Sequence, residues 1–165
     1  MCATRKPTNA DVVGAMYQAF ERRDIPHILD QLDDLVSWDA DWDDNSAQSA
    51  DVVLMRPRRG PAEVAEFFAL LAEWRFQDFA VLDIIGTGRQ VAAEVRIDAV
   101  LPNGGRIADQ TMHLWTFGED GQVVRFRTYT DTAKQIAADS GADTVHGTGT
   151  VVTGFLLGLR GGRLR

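Results

Sequence analysis

The fold is decided by residues 76–131, which read FQDFAVLDIIGTGRQVAAEVRIDAVLPNGGRIADQTMHLWTFGEDGQVVRFRTYTD. Apolar and polar residues alternate through most of this segment, and a period of two is typical of β-strands. The alternation predicts strands at about Phe76–Gly86, Gln90–Leu101, Arg106–Gly118 and Gln122–Asp131. Glycine-containing segments separate the last three strands and predict hairpin turns. The segment therefore predicts an antiparallel meander.

The residues before the meander predict three helices with one strand among them. Thr8 followed by Asp11 is a capping-box pattern for a first helix, and Asp24 caps a second, shorter one. The third helix begins at Gly60-Pro61, and a short strand, 35–38, precedes it. Helices gathered on one side of an antiparallel sheet form an α+β fold. We therefore predict a cone-shaped, curved antiparallel sheet packed on three N-terminal helices, with a concave pocket for a small molecule.

The chain length of 165 residues favours one domain. We predict that the domain spans residues 1–138, closed by a helical turn at Thr132–Ala138. Residues 139–165 form a glycine-rich tail. We expect this tail to be poorly ordered unless Val151–Leu159 adds to a dimer contact or covers the pocket.

Composition excludes several classes of protein. The net charge of −7 argues against binding to nucleic acid or to an anionic membrane, since both require a basic surface. Cys2 is the only cysteine, so the chain has no internal disulfide, and no apolar run is long enough to span a membrane. The first residues carry no secretory signal, so we expect a cytoplasmic protein. The scattered histidines and the acidic stretch after Asp33 lack the spacing of a metal site, and no cofactor is implied.

Two motifs carry a resemblance to a known family. Residues 60–68, GPAEVAEFF, begin the third helix, and residues 120–131, DGQVVRFRTYTD, contain the last strand. With the order of elements, they resemble the SnoaL-like branch of the nuclear-transport-factor-2-like superfamily over roughly Ala10–Ala138. The resemblance implies the α+β cone with one pocket. It also implies an isomerase, polyketide cyclase, epoxide hydrolase or dehydratase, or a protein that only binds a ligand.

Ketosteroid isomerase is one member to which the chain is similar. Asp39 falls where that family keeps its general-base aspartate, and His113 falls where a protonated aspartate donates to the oxyanion. Met16 falls where that family has its oxyanion tyrosine, and Tyr17 follows one residue later. The resemblance implies a base role for Asp39, a donor role for His113 and a place in the pocket for Met16.

Limonene-epoxide hydrolase is a second member. Residues 94–98, EVRID, resemble the R-x-D strand of that family, so the resemblance gives Arg96 and Asp98 the roles of the arginine and the acid. Thr128 falls where the second catalytic carboxylate is expected.

Strand alternation divides the side chains of the second and third long strands between two faces. The polar and aromatic face carries Glu94, Arg96, Asp98, Thr111, His113, Trp115 and Phe117. The aliphatic face carries Val95, Ile97, Met112 and Leu114. We assign the mixed face to the pocket and the aliphatic face to a homodimer contact, because an open aliphatic face is unfavourable. The reverse assignment is the alternative.

An inward Asp98 beside Arg96 has a chemical use. Burial raises the pKa of a carboxyl and a guanidinium lowers it again, so the pair can be poised for proton transfer near neutral pH. The alternative is a structural ion pair between strands. His113 either donates to a substrate oxygen or is satisfied by a neighbouring strand. Asp39 is either a base at the mouth of the pocket or a solvated carboxylate of the acidic loop.

The remaining candidates form the pocket wall. The predicted ligand-binding residues are Trp38, Phe20, Met16, Trp115, Phe126, Thr128 and Glu94. For the aromatic residues, packing in the core is the alternative.

Together these features favour a cofactor-independent acid–base enzyme that acts on a small hydrophobic molecule. The alternatives are a dimer that binds a ligand without turning it over and a protein-interaction module that uses the tail.

Overall fold

The computed structural model describes residues 6–86 and 88–145. Cys2 and residues 146–165 of the tail, which include Val151–Leu159, therefore lie outside the described residues. The helices are α1 (Asn9–Glu21), α2 (Ile25–Leu29), α3 (Ser46–Ser49), α4 (Gly60–Ala72) and α5 (Thr132–Asp139), with a 3₁₀ turn at Val53–Met55. The strands are β1 (Leu32–Trp38), β2 (Arg58–Arg59), β3 (Arg75–Ile85), β4 (Gln90–Val100), β5 (Arg106–Phe117) and β6 (Val123–Tyr129).

The predicted helix starts are confirmed. The Thr8 hydroxyl accepts from the backbone N–H of Asp11, and the Asp11 carboxylate accepts from the N–H of Thr8. Asp24 caps α2 in the same way, through the N–H of His27. Gly60 at the start of α4 has φ +75°, and a Cβ there would lie 3.0 Å from the Asp34 carbonyl oxygen. A side chain at this position would therefore be strained, which explains the glycine.

The six strands form one sheet in the order β2-β1-β6-β5-β4-β3. The meander from β3 to β6 is antiparallel, as predicted. The sheet as a whole is mixed, however, because β1 pairs with β6 in parallel. Since α4 separates β1 from β3 along the chain, β1 is not joined to the meander by a hairpin and pairs with its last strand instead. The acidic stretch between β1 and β2 also contains α3, capped by Asn45.

The helices pack on one face of the sheet, called here the inner face. The main core cluster lies between them and contains Val13 and Met16 of α1, Val64 and Phe68 of α4, and Val95 of β4. The register of β3 shifts against β4 at Phe76/Asp78 and again at Val81/Asp83. Such bulges bend a strand and increase its twist, in keeping with the curved sheet of the prediction.

Strand pairing shows that the prediction for the faces of β4 is wrong. Val95 pairs with Thr111 and Ala93 pairs with His113, so these four side chains lie on the same, inner face. Glu94 pairs with Met112 on the outer face. Alternation alone does not show which of a strand's two sets of side chains points inward. In β4 the aliphatic side chains point inward, which for this strand is the reverse assignment left open above.

No helix within residues 6–86 and 88–145 is long and apolar enough to cross a membrane. The predicted homodimer, the cytoplasmic location and the division at residue 138 stay predictions.

Candidate functional site

A cavity of about 90 Å³ lies between the inner face of the sheet and helices α1 and α4. Its wall is mainly aromatic and aliphatic, with Tyr17 and Phe20 from α1, Phe67 and Phe68 from α4, and Phe79 from β3. Pockets for drug-sized ligands usually measure roughly 300–1,000 Å³. This cavity therefore matches a ligand built on about one small ring.

Most of the predicted ligand-binding residues line this cavity. They are Met16, Phe20, Trp38, Trp115, Phe126 and Thr128. Their contact with a ligand stays a prediction. Leu54 and Met55, in and beside the 3₁₀ turn, and Gln135 of α5 also lie on the wall and were not predicted.

A chain of hydrogen bonds runs through the polar part of the wall. The indole N–H of Trp115 donates to the Tyr17 hydroxyl at 3.2 Å, and that hydroxyl lies 2.7 Å from Nδ1 of His113. Nε2 of His113 lies 3.1 Å from the Thr111 hydroxyl. Because Tyr17 already accepts from Trp115, we assign its own hydrogen to Nδ1, which leaves the hydrogen of His113 on Nε2 and directed at Thr111. The Thr111 hydroxyl then retains its own hydrogen for a ligand.

His113 is held neutral by this environment. Burial of the ring lowers the pKa of its imidazole to about 4, since a buried charge loses its hydration. Both ring nitrogens are engaged inside the protein. His113 therefore reaches a ligand only through Thr111, and of the two alternatives predicted from the sequence the contacts favour a histidine satisfied within the protein.

Asp39 is a buried carboxylate beside the cavity. It follows β1 directly, has φ +50°, and its residue exposure is only 2%. Its Oδ1 accepts from the backbone N–H of Thr128 at 2.7 Å, and the side chain of Thr128 lines the cavity. The carboxylate is thus not the solvated group of an acidic loop that the alternative expected.

The pKa of Asp39 is raised to about 6, chiefly because burial penalises the charged form. Hydrogen bonds from Thr128 and the positive charges of Arg127 and Arg58 act in the opposite direction. General acids and bases work best with a pKa near the operating pH, so Asp39 is suited to exchange a proton near neutrality.

Asp109 is a further carboxylate, and it lies on the cavity wall itself. The sequence analysis missed it. It accepts from the Thr130 hydroxyl at 2.8 Å, from the Asp131 N–H at 2.9 Å and from Lys134 Nζ at 3.3 Å. Strand alternation held the signal, because Asp109 stands two residues before Thr111 on the same face. These three donors indicate an anchored carboxylate that ties β5 to α5.

Arg96 and Asp98 do not face the cavity, so the prediction that placed them in the pocket is wrong. Arg96 Nε lies 2.6 Å from Asp78 Oδ2 on the surface. Asp98 makes a two-point pair with Arg106, at 2.7 and 2.9 Å, and this partner lowers the pKa of Asp98. Between them, Ile97 occupies the inward position and lines the cavity. The structure therefore supports the ion-pair alternative for both residues.

Glu94 is likewise not on the cavity wall, since it stands opposite Met112 on the outer face. Among residues 6–86 and 88–145, no three His, Cys, Asp or Glu side chains are grouped so that they could hold a metal ion.

The fold and this cavity define the class as an NTF2-like α+β cone. The profile of the SnoaL-like domain matches residues 13–126, and the chain belongs to this family. No curated protein matches the sequence.

Solved structures show the same fold. An NTF2-like protein of unknown function from Burkholderia pseudomallei is 26% identical, with a TM-score of 0.65 over 79% of this chain and 96% of that one. TerC, co-crystallised with polyporic acid, is 23% identical, with a TM-score of 0.63 over 80% and 98%. An LEH-like epoxide hydrolase of M. tuberculosis is 15% identical, with a TM-score of 0.57 over 79% and 87%.

Proposed function

We propose that this protein is a cofactor-independent acid–base enzyme that acts on a small hydrophobic molecule in the inner cavity. Isomerisation, aldol-type cyclisation, dehydration and epoxide opening are the reaction types that such a cavity suits. Among the related folds, an LEH-like epoxide hydrolase and a protein co-crystallised with polyporic acid support this range.

One observation carries the proposal. Asp39 combines deep burial, a pKa raised to about 6 and a direct hydrogen bond from Thr128, a residue of the cavity wall. Asp98, on the outer face, is instead paired with Arg106. A buried carboxylate with a pKa close to neutrality is the group that general acid–base catalysis requires.

The roles follow from the contacts. Asp39 accepts or returns the proton, and Thr128, whose backbone N–H and hydroxyl stabilise the charged form of Asp39, lines the cavity. Thr111 donates its hydroxyl hydrogen to a ligand oxygen. His113 and Tyr17 are positioning residues, since the chain of hydrogen bonds fixes the direction of the Thr111 hydroxyl.

A second candidate is a protein that binds the same molecule without turnover. Two observations favour it. The cavity wall is predominantly apolar, and both nitrogens of the wall histidine, His113, are occupied within the protein. This candidate predicts ligand binding that does not depend on Asp39.

The test is a turnover assay on three small-ring probes: a β,γ-unsaturated cyclic ketone, a β-hydroxy ketone and a cyclic epoxide. The full chain is incubated with each probe at pH 7.5 and the products are followed by NMR. We expect turnover of at least one probe and a loss of at least about 100-fold in Asp39→Asn, the usual scale for removing a general base. Asp98→Asn is the matched control and should retain turnover within about twofold.

Two outcomes contradict the proposal. The first is wild-type protein that binds the probes but converts none of them, which supports the binding candidate. The second is turnover that Asp39→Asn retains while Asp98→Asn abolishes it, which would place the chemistry on the outer face.

A further inference from the structure

Asp39 has an unusual backbone conformation for its place in the fold. Among residues 6–86 and 88–145, three residues other than glycine have a positive φ: Arg23, Asp39 and Asp51. Arg23 and Asp51 directly follow the C-caps of α1 and α3, where a left-handed residue is an ordinary way to end a helix. Asp39 instead follows strand β1, so its φ of +50° needs another explanation.

The conformation changes the hydrogen bonds between β1 and β6. The backbone N–H of Asp39 donates to the Phe126 carbonyl at 3.0 Å, as expected for this parallel pair. In a regular parallel ladder, the next bond runs from the Thr128 N–H to the backbone carbonyl of Asp39. Here the Thr128 N–H donates to Oδ1 of the Asp39 side chain instead, at 2.7 Å. The carboxylate has therefore taken the place of the backbone carbonyl.

The displaced carbonyl of Asp39 is bound by Gln48 of α3. The side-chain N–H of Gln48 donates to this carbonyl at 2.7 Å. Because a carbonyl oxygen only accepts, Nε2 of Gln48 and not its Oε1 faces Asp39. Asn45 fixes the start of α3 by accepting from the backbone N–H groups of Ala47 and Gln48. A buried carbonyl without a partner is unfavourable, so the bond from Gln48 stabilises the turned backbone.

We propose that Gln48 is a positioning residue for the proton-transfer group: its amide holds the Asp39 carbonyl away from β6 and so leaves the Thr128 N–H to the carboxylate. Without the amide of Gln48, the carbonyl finds its partner by returning to the ladder. The carboxylate then loses its donor and its buried place beside the cavity. This inference rests on the proposed function in taking Asp39 as the reacting group, whereas the hydrogen bonds it concerns do not depend on turnover.

The charged neighbours of Asp39 do not do the work of Gln48. Two arginines, Arg58 and Arg127, favour the charged form of the Asp39 carboxylate. The side chains of both donate to backbone carbonyls of other residues. Within the described part of the chain, the hydrogen bonds that the carboxylate and the carbonyl of Asp39 accept come from Thr128 and Gln48.

The experiment follows two NMR signals through a pH titration of the full chain, in wild type, Gln48→Met and Gln110→Met. Methionine has nearly the length of glutamine and a similar helix propensity, but no N–H to donate. Gln110 is exposed on the outer face, opposite Arg96, so Gln110→Met is the matched control. The signals are the carboxyl carbon of Asp39, assigned with Asp39→Asn, and the backbone amide proton of Thr128.

The two signals should move together wherever the bond between them exists. In wild type and in Gln110→Met, the Thr128 amide proton should shift with the same midpoint as the Asp39 carboxyl carbon, because the two groups are hydrogen-bonded. In Gln48→Met this response should be lost. The pKa of Asp39 should fall there from about 6 to below about 5, towards the ordinary aspartate value, since burial is the chief cause that raises it.

Three results would overturn the inference: a Thr128 amide proton that ignores the titration of Asp39 in wild type, one that still follows it in Gln48→Met, and an Asp39 midpoint that Gln48→Met leaves unchanged or raises while wild type titrates near pH 6. If Gln48→Met does not fold, the side-chain amide of Gln48 in wild type decides. Its protons should exchange slowly with water and follow the titration of Asp39, and free exchange without a response counts against the inference.

The proposed function and the positioning role can fail separately. None of these signals requires turnover. An ordinary Asp39 midpoint in wild type would contradict the proposed function, and the response of the Thr128 amide proton would still decide the role of Gln48.

Discussion

The two faces of strands β4 and β5 are built from alternate residues of the same segments, yet they behave as different environments. The inner face carries Val95, Thr111 and His113, with Val95 and Thr111 buried, while the outer face carries Arg96 and Asp98 in ion pairs near the solvent. Charged residues side by side in the sequence are therefore weak indicators of a site when they share the outer face. A single buried carboxylate next to the cavity is the stronger indicator of a site.

The contrast is clearest between two aspartates. Burial raises the pKa of Asp39 to about 6, whereas the guanidinium of Arg106 lowers the pKa of Asp98. The side chain of Asp98 is 23% exposed, so solvent and its partner both stabilise the charge. Of these two aspartates, Asp39 is the one expected to change its protonation state near neutral pH.

The largest expected effect is a difference in stability between a variant of the inner face and a variant of the outer face. Phe126→Ala should lower the free energy of unfolding by about 3–5 kcal/mol, because it removes a ring that stacks on Trp38 and opens the core. Arg96→Ala on the outer face should cost less than about 1 kcal/mol, the usual value of an exposed ion pair. Urea unfolding measures both. Similar costs for the two variants would contradict the assignment of the faces.

The next effect concerns the pH dependence of stability, to which His113 and Asp39 contribute in opposite directions. His113 has a native pKa of about 4, below its ordinary value, so its contribution to stability is lost as pH falls from about 6.5 towards 4. Asp39 has a native pKa of about 6, above its ordinary value, so its contribution grows as pH falls from about 6 towards 4 and is lost as pH rises. In wild type the two contributions therefore oppose each other between about pH 6 and pH 4.

Asp39→Asn removes one of these opposing groups. As pH falls from 6.5 to 4, the free energy of unfolding of Asp39→Asn should therefore fall by about 2–3 kcal/mol relative to that of wild type. At pH 8 the variant should be more stable than wild type. Urea unfolding at each pH gives the difference directly. A difference that does not vary with pH would show that Asp39 titrates normally.

A smaller effect tests the chain of hydrogen bonds on the inner face. Tyr17→Phe leaves the N–H of Trp115 and Nδ1 of His113 without their partner, and it should cost about 1–3 kcal/mol of stability. It should also lower turnover more than it changes substrate binding, since it releases the Thr111 hydroxyl from a fixed direction. Unchanged stability and turnover would mean that the chain of bonds plays no part.

The smallest effect lies on the outer face. Asp98→Asn breaks the pair with Arg106 and should cost at most about 1 kcal/mol, with the difference from wild type shrinking as salt is added. A larger cost that salt does not change would contradict the description of this pair as a surface contact.

The sequence predicted what depends on local patterns. Capping at Thr8 and Asp24, the start of α4 and the strands of the meander follow from residues a few positions apart, and the structure confirms them. The aromatic wall was also found, because Trp38 and Phe126 are apolar in every context.

What depends on distant partners was not predictable. Asp39 stands in an acidic stretch that reads as solvated, and its burial depends on Thr128, 89 residues later. The parallel pairing of β1 with β6 is equally remote in sequence. For β4, alternation defined two faces correctly, but only the pairing of Val95 with Thr111 shows which of them is inner.

The central claim is that Asp39, buried and hydrogen-bonded to Thr128 of the cavity wall, is the proton-transfer group, and the titration of its carboxyl carbon by NMR tests this most directly. With ¹³C-labelled aspartate, and with Asp39→Asn and Asp98→Asn to assign the two signals, the chemical shifts are followed from pH 2.5 to pH 8. The account predicts a midpoint near pH 6 for Asp39 and one below the ordinary aspartate value for Asp98. An ordinary or lowered midpoint for Asp39 would contradict it.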